Sequence, residues 1–382
     1  MNHAQRLMTD RPPPDQYRPD AVRPDQNGPD TGRPAPKPPE QAQAQTGSAQ
    51  PNRALAPRDH GGGIDAAALR FGGARADWVD LSTGINPLPY PVPDFAPEAW
   101  CALPDAGAQD ALEQAARQFW QVPEGAAVLA APGASALIAR LPALAPAGRA
   151  HIPAPTYNEH AAAFIGAGWQ VEGGAEARGA HDAKIVVHPN NPTGQFHSAG
   201  ALDAPLTVID ESFCDIAPER SLIAQAGREG RIVLKSFGKF WGLAGLRLGF
   251  AIGDPALIGR LAMMLGPWPV SGPALALGTA ALRDAAWAQQ TRIRLNEDAA
   301  RLDALMLGAG ARIYDQGAAT GGTSLFRLYD VHSAAAWQDR LARHHIWSRI
   351  FPYSAHMLRL GLPRPDQFTR LAAALAAPQE RA

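Results

Sequence analysis

Four of the 35 basic residues are lysines: Lys37, Lys184, Lys235 and Lys239. Chemistry that needs a primary amine, such as attack on a carbonyl carbon, therefore has few candidates. Lys239 follows an apolar run, Arg231–Ser236, that reads as a strand, and Phe237, Phe240 and Trp241 flank it. That is a poor setting for a solvated surface lysine. Three more apolar runs carry polar groups at their ends. His188-Pro-Asn-Asn191-Pro-Thr-Gly194 closes one, Asp210-Glu211 closes another, and Gly245-Leu-Arg247-Leu-Gly249 opens a third. In open α/β sheets ligands bind outside the carboxyl ends of strands, so Asn191, Asp210 and Lys239 are expected to converge on one crevice. Taken singly these pieces are ordinary: Asn-Pro is usually a turn, and an Asp at a strand end is usually a helix cap. Their combination is the informative feature.

Other motifs fail on inspection. His60-Gly61-Gly62-Gly63 matches an esterase oxyanion loop, but the sequence has no G-x-S-x-G elbow to accompany it. Gly308-Ala309-Gly310 lacks a third glycine and follows a helix, not a strand. Gly238-Lys239 is followed by Phe240 where a phosphate-binding P-loop needs Ser or Thr. His344 and His345 are adjacent and point in different directions on a helix, so no shared metal is expected.

The elements that must hold these groups alternate between short β-rich runs and Ala-rich helical stretches, which argues for α/β layering. Strands are expected at Ala127–Ala131, Lys184–His188, Leu206–Asp210, Arg231–Ser236 and Leu246–Ile252. Helices are expected at Gln109–Trp120, Ser135–Leu144 and Glu159–Gly168, with one long helix from Pro273 towards Leu307. Beyond it, strand-like Ser324–Tyr329, helical Ala334–His344, strand-like Ile346–Ile350 and Met357–Leu360, and a last helix from Pro365 suggest a small α+β domain. Residues 1–57 hold 12 of the 36 prolines, one aromatic (Tyr17) and no Phe, Trp or Ile. Such a segment buries too little apolar surface to offset its ordering entropy, and reads as a disordered tail without a catalytic role. The expected division is a tail at 1–57, a segment at 58–95 contributing to the substrate site, a large domain at 96–285 and a small C-terminal domain at 286–382.

A formal charge of −1 gives no global field for nucleic acid or anionic membrane. No apolar run approaches the roughly 20 residues of a membrane span. The start of the chain has no apolar leader core, and two cysteines make no disulfide framework. A cytoplasmic protein is expected, with no nucleic-acid, membrane or metal partner.

The ordered set Tyr157-x-x-His160, Asn191-Pro-Thr-Gly194, Asp210-Glu211 and Ser236-x-x-Lys239-x₇-Arg247 resembles the fold-type I pyridoxal-phosphate enzymes. The branch is the one that holds histidinol-phosphate aminotransferases and threonine-phosphate decarboxylases, and the resemblance spans about residues 58–378. It implies a large mixed-sheet α/β domain with a small α+β domain, a homodimer, and pyridoxal 5'-phosphate as cofactor. Lys239 is the amine for the cofactor aldehyde by elimination. Lys37 is in the tail, Lys184 opens its strand at the far end, and Lys235 points to the face opposite Ser236. Asp210 would hold the proton on the ring nitrogen, with Tyr157 stacking on the ring, His160 supporting the aspartate and Asn191 bonding the phenolate oxygen. Gly133, Ala134 and Ser135, between a strand and a helix start, would cradle the phosphate together with Ser236 and Arg247. Phe213 stands where many aminotransferases have a tyrosine, Gly238 where a serine or threonine is frequent, and Leu103 where histidinol-phosphate aminotransferases usually show a tyrosine.

His60-Gly-Gly and Asp80-Leu-Ser-Thr-Gly-Ile-Asn86-Pro87 look like the N-terminal strings of threonine-phosphate decarboxylases of cobalamin biosynthesis. That likeness implies decarboxylation of L-threonine O-3-phosphate to (R)-1-aminopropan-2-yl phosphate. Arg349 and Arg359 match arginines that bind substrate anions, Arg359 in the carboxylate position, and His60 and Asn86 are expected phosphate contacts. The alternatives are an aminotransferase for a phosphorylated or dicarboxylic amino acid, and a non-catalytic cofactor-binding regulator. Because the tail lacks core-forming residues, deleting residues 1–57 is expected to leave folding and turnover nearly unchanged; a large loss of activity in the truncated protein would show that it orders over the site.

Overall fold

The computed structural model describes residues 59–377 other than 177, 316 and 318; the expected disordered tail lies outside the described residues. The apolar runs become neighbours in a seven-stranded sheet built from β1 (Ala127–Ala131), β2 (Arg149–His151), β3 (Gln170–Glu172), β4 (Ala183–Val187), β5 (Leu206–Asp210), β6 (Arg231–Ser236) and β7 (Gly249–Gly253). Their order is β1-β7-β6-β5-β4-β2-β3. β7 runs antiparallel to both neighbours, and every other pair is parallel. Strand periodicity divides the side chains between two cores. Ile209, Val233, Phe250 and Ile252 enter one, and Val208, Ile232, Leu234 and Ala251 enter the other.

Among the described residues the α-helices of five or more residues are α1 (Ile64–Phe71), α2 (Ala106–Trp120), α3 (Ala134–Ile138), α4 (Asn158–Gly166), α5 (Pro255–Leu265), α6 (Gly272–Arg283), α7 (Ala285–Gly308), α8 (Ala334–Ala342) and α9 (Phe368–Ala376). Buried residues of α2, α6 and α7 line the first core, and those of α3, α4 and α5 line the second. Covering both faces explains why β5 and β7 are buried at every position. A second, antiparallel sheet comprises β8 (Arg312–Ile313), β9 (Gly322–Thr323), β10 (Phe326–Asp330), β11 (Arg349–Phe351) and β12 (Ser354–Gly361), in the order β9-β10-β12-β11 with β8 also on β10. Leu325, Phe326, Tyr329 and Trp337 from this region join the first core, so the two sheets share apolar packing. Val79–Asp80 pairs in parallel with Ile346–Trp347, tying the N-terminal segment to the C-terminal region. No helix among the described residues is long and apolar enough to cross a membrane.

Several expected boundaries move, each for a local reason. The single helix expected from Pro273 to Leu307 is two helices meeting at Asp284, whose ψ is 72° and whose carboxylate accepts from Trp287 N at 2.9 Å. An aspartate at a junction caps the following helix better than it continues the preceding one. The helix expected at Ser135–Leu144 ends at Ile138 and resumes as a 3₁₀ turn at Leu141–Leu144. Pro142 has no N–H for the Ile138 carbonyl, and its ring would clash there. The strand expected to open at Leu246 starts at Gly249, because Ala244–Leu246 is a 3₁₀ turn and Arg247 takes a left-handed φ of 54°. β2 and β3 have no counterpart among the expected strands: each has three residues with polar ends, too short for an alternation to register. α5 carries a readable signal in Asp254-Pro255, a cap followed by a first-turn proline.

Asp284→Ala is expected to lower stability by about 1 kcal/mol in chemical denaturation, and Asp284→Asn by less, since an amide oxygen still caps.

Candidate active site

At the carboxyl end of β6 the chain turns through Phe237 and Gly238 to Lys239. The Lys239 carbonyl accepts from Asn86 N at 3.0 Å and from Gly242 N at 3.1 Å. Gly242 has a φ of +69°, and a Cβ there would lie 2.7 Å from Pro89 Cα, so the turn closes only with glycine. Phe237, Trp241 and Trp287 stack behind it with ring centroids 5.2 and 5.3 Å apart. Asn86 belongs to this support. Its amide donates to Phe240 O at 2.8 Å, and its Oδ1 accepts from Arg294 at 2.7 Å and Leu88 N at 3.1 Å. Asn86, expected as a phosphate contact, is found in the support of the Lys239 turn, and its contact with substrate phosphate stays a proposal.

Lys235 and Lys239 are four residues apart and in opposite electrostatic states. Lys235 points into the first core, where its ammonium lies 2.6 Å from Glu211 and 3.6 Å from Asp215. Burial alone would lower its pKa, but the two carboxylates outweigh burial and push it upward. Glu211 is not on the cavity wall, and also accepts from Ser221 Oγ at 2.7 Å. Lys239 lines the cavity, and its pKa falls to about 8 through burial and then through Arg359, with Arg247 adding to the fall and Asp210 opposing it. Its ammonium lies 5.3 Å from the Phe213 ring centroid. Of the two, Lys239 is the amine that yields a proton near neutrality.

Asp210 ends β5, buried and facing the same cavity. Burial favours its neutral form. The His160 hydrogen bond and charge, with two bonds from Ser212, overcome that cost and hold its pKa below the usual carboxylate value. Oδ2 is 2.8 Å from His160 Nε2, and Oδ1 accepts from Ser212 N at 3.0 Å and Ser212 Oγ at 2.5 Å. His160 is completely buried on the first turns of α4, and Tyr157 precedes that helix and lines the cavity. Ser212 is a site residue that the sequence motifs leave out, although an acidic residue two positions before a serine is a readable turn signal.

The cavity is further lined by Ala134, Ser135, Asn191, Ser236 and Arg247. Gly133 lies against Arg247: with φ at +83°, a Cβ there would collide with the guanidinium. Backbone amides and a guanidinium thus share a concavity that only glycine leaves open, a shape and charge that suit a phosphate. The structure gathers Lys239, Asp210, Asn191, Tyr157, Ala134, Ser135, Ser236 and Arg247 on the walls of this cavity, with His160 and Gly133 directly behind them.

A second chamber opens on the other side of Lys239, Tyr157 and Asn191, lined also by His60, Arg349 and Arg359. Arg359, on β12, is buried and donates to Asn191 Oδ1 and to Ser82 O, and its Nε has no partner among the described residues. Burial and then Arg349 lower its pKa to about 10. Arg349, on β11, is nearer the mouth and is engaged by the carboxylate and carbonyl of Asp59 and the carbonyl of His60. His60 Nε2 lies 2.8 Å from Glu159. Nothing in the local sequence around Asp59 marks it for this place. His188, Glu211 and Cys214 place ligand atoms within 4.8 Å of one another. His188 is already bonded to Arg220 O and His197 N, and Glu211 to Lys235, so this group is a packed polar network.

The family model for class I and II aminotransferases matches residues 95–375. The chain belongs to that family. Within it, the chain is 42% identical to a threonine-phosphate decarboxylase from Sinorhizobium sp, covering 84% of this chain and 98% of that protein. It is 40% identical to a threonine-phosphate decarboxylase from Pseudomonas aeruginosa, covering 83% and 97%. Among solved structures, a histidinol-phosphate aminotransferase from Sinorhizobium meliloti in complex with pyridoxal-5'-phosphate aligns with a TM-score of 0.68 at 19% identity, over 82% of this chain and 93% of the other. The L-threonine-O-3-phosphate decarboxylase from Porphyromonas gingivalis aligns at 0.63 and 20% identity, over 77% and 97%. These structural likenesses bear on the fold: a mixed sheet with flanking helices, as in fold-type I pyridoxal-phosphate enzymes of the class I and II aminotransferase family.

The two lysines give opposite expectations in the cofactor-free protein. Lys235→Met should cost about 3–5 kcal/mol, because Glu211 and Asp215 are left buried without their cation. Lys239→Met should stabilise near pH 7. The native Lys239 pKa is about 8 against 10.5 when unfolded, so below pH 8 the folded state bears a penalty that fades as pH rises to 10.5. Denaturation across pH 7–11 should show that rise in wild type, on the order of 1–3 kcal/mol, and a flatter profile in Lys239→Met.

Proposed function

We propose that the protein is a pyridoxal 5'-phosphate-dependent threonine-phosphate decarboxylase, releasing CO₂ from L-threonine O-3-phosphate and leaving (R)-1-aminopropan-2-yl phosphate for cobalamin biosynthesis. One observation carries the reading: two arginines, Arg359 deep beside Lys239 and Arg349 at the mouth, line one chamber with the reactive amine. An amino acid with an anionic group at each end matches that arrangement. Near-full-length likeness to two proteins of that name supports the choice within the family.

The residues present fit the cofactor. Gly133, Ala134, Ser135, Ser236 and Arg247 would hold its phosphate, Tyr157 its ring face, Asn191 its phenolate oxygen and Asp210 its ring nitrogen. When bound, the cofactor supplies an aldehyde and an electron-withdrawing ring that takes up the pair left by a broken bond at Cα. The chain's own groups set the conditions for that chemistry. Lys239, with its pKa near 8, offers a neutral amine to a carbonyl at modest cost. Asp210, kept ionised by His160 and Ser212, can hold a proton at the facing ring nitrogen. Arg359, on the chamber wall beside Lys239, would take the substrate carboxylate and orient the bond to be broken. Arg349, with His60 nearby, would take the phosphate. Phe213 contributes an apolar wall to both chambers in place of a hydroxyl.

In this reading residues 96–285 carry the cofactor, 286–382 the arginines, and 58–95 bridge them at the substrate. The protein is proposed to act as a homodimer in the cytoplasm. Exposed Trp100 and Leu103 provide apolar surface for a second copy, and both cysteines are free.

Purified protein should be yellow, and Lys239→Ala should lose cofactor reducible onto the chain by borohydride; retention would move the linkage to another lysine. Threonine phosphate without an acceptor keto acid should release CO₂ over many turnovers, whereas a stall after one turnover indicates an aminotransferase. Arg359→Ala should lower kcat/KM by about 10–150-fold with cofactor absorbance intact. Arg359→Lys should restore little, because a point charge lacks the guanidinium fork.

A further inference from the structure

The segment at 59–60 crosses the chamber mouth between β11 and α4. On one side Arg349 Nη2 donates to Asp59 Oδ2 at 2.8 Å and to Asp59 O at 3.0 Å, while Nη1 donates to Asp59 Oδ1 and to His60 O at 2.7 Å. On the other, Asn158 Nδ2 donates to Asp59 O at 2.9 Å, and Glu159 pairs with His60. The Asp59 carboxylate therefore fills the Arg349 fork from within the chamber, in the bidentate arrangement an incoming anion would adopt. Among the described residues, the hydrogen-bond acceptors of Arg359, in the same chamber, are the neutral oxygens of Asn191 and Ser82.

The contrast has an electrostatic reason. Two guanidinium groups facing one partly enclosed chamber repel each other, and one internal carboxylate relieves that repulsion when no ligand is bound. An anionic substrate end would relieve it equally well. Exchange of one anion for another keeps the charge balance, and the Asp59 side chain is 44% exposed, so it can turn to water as another anion takes the fork.

We infer that Asp59 is an internal competitor for the substrate's anionic end, holding Arg349 in the resting enzyme and yielding it only to a ligand that carries an anion there. The inference rests on the proposed reading of Arg349 as a substrate-anion ligand. It makes Asp59 a specificity-determining residue that weakens anionic ligands and leaves ligands without that anion untouched.

The test is calorimetric titration of the full-length holoenzyme with inorganic phosphate, alongside KM for L-threonine O-3-phosphate and for plain threonine. Asp59→Asn should bind phosphate about 3–10-fold more tightly and lower KM for threonine phosphate to a similar degree, with no gain for threonine. Asp59→Glu, which keeps the charge, should show no gain, and Asp59→Asn combined with Arg349→Ala should lose it. Unchanged or weaker phosphate binding in Asp59→Asn overturns the inference, and so does a gain that persists without Arg349, which would be a general field effect. If the wild type does not decarboxylate threonine phosphate, the proposed function fails, while the phosphate titrations still decide the role of Asp59.

Discussion

A lysine ammonium enclosed with Arg359 and Arg247 as neighbours and one carboxylate, Asp210, for compensation is costly to keep charged, and its pKa of about 8 expresses that cost. The remaining architecture makes this state tolerable and directional. The amine cannot escape to solvent, because Asn86 and Gly242 fix the Lys239 carbonyl and a three-ring stack closes the space behind the turn. The Glu211 and Asp215 carboxylates are taken by Lys235, whose side chain leaves β6 on the face opposite the cavity. One β-strand thus carries a lysine stabilised as a cation and delivers, just past its end, another that is poised to lose its proton.

Asp210 is the counterpart of this arrangement. A buried carboxylate tends toward its neutral form, which could not hold a proton on a facing ring nitrogen. His160 and Ser212 supply three hydrogen bonds that favour the anion. His160 comes from α4, Asp210 and Ser212 from the end of β5, and Lys239 from the end of β6. The parallel pairing of β5 with β6 is what brings these groups to one edge of the sheet. The second sheet then adds Arg349 and Arg359 from adjacent antiparallel strands, where they are direct register partners. That pairing explains both their shared chamber and their mutual repulsion.

Much of the fold is legible in the amino-acid sequence. The apolar runs at 127–131, 206–210 and 231–236 coincide with strands, because continuous β-rich segments bounded by turn residues have few other ways to fold in a layered protein. Boundaries differ where one residue outweighs a pattern: Asp284 interrupts a helical periodicity that continues on both sides, and Pro142 cuts short a helix of good formers. Strands β2 and β3 escape because three residues cannot display a period.

Residue types and their spacing carry the chemical inventory and its order: one plausible amine, the carboxylate and amide at neighbouring strand ends, and a glycine-opened anion cradle. These are local properties, set by residue type and by spacing along a strand or turn. Partnership comes from the folded chain. Asn86 supports the Lys239 turn through contacts more than 150 positions away, and Asp59 meets Arg349 across 290. Among the described residues Arg359 Nε has no partner, because the Asn191 loop and Ser82 reach its other nitrogens. No spacing rule encodes such meetings, since they depend on how the sheet order and the chain crossings close in space.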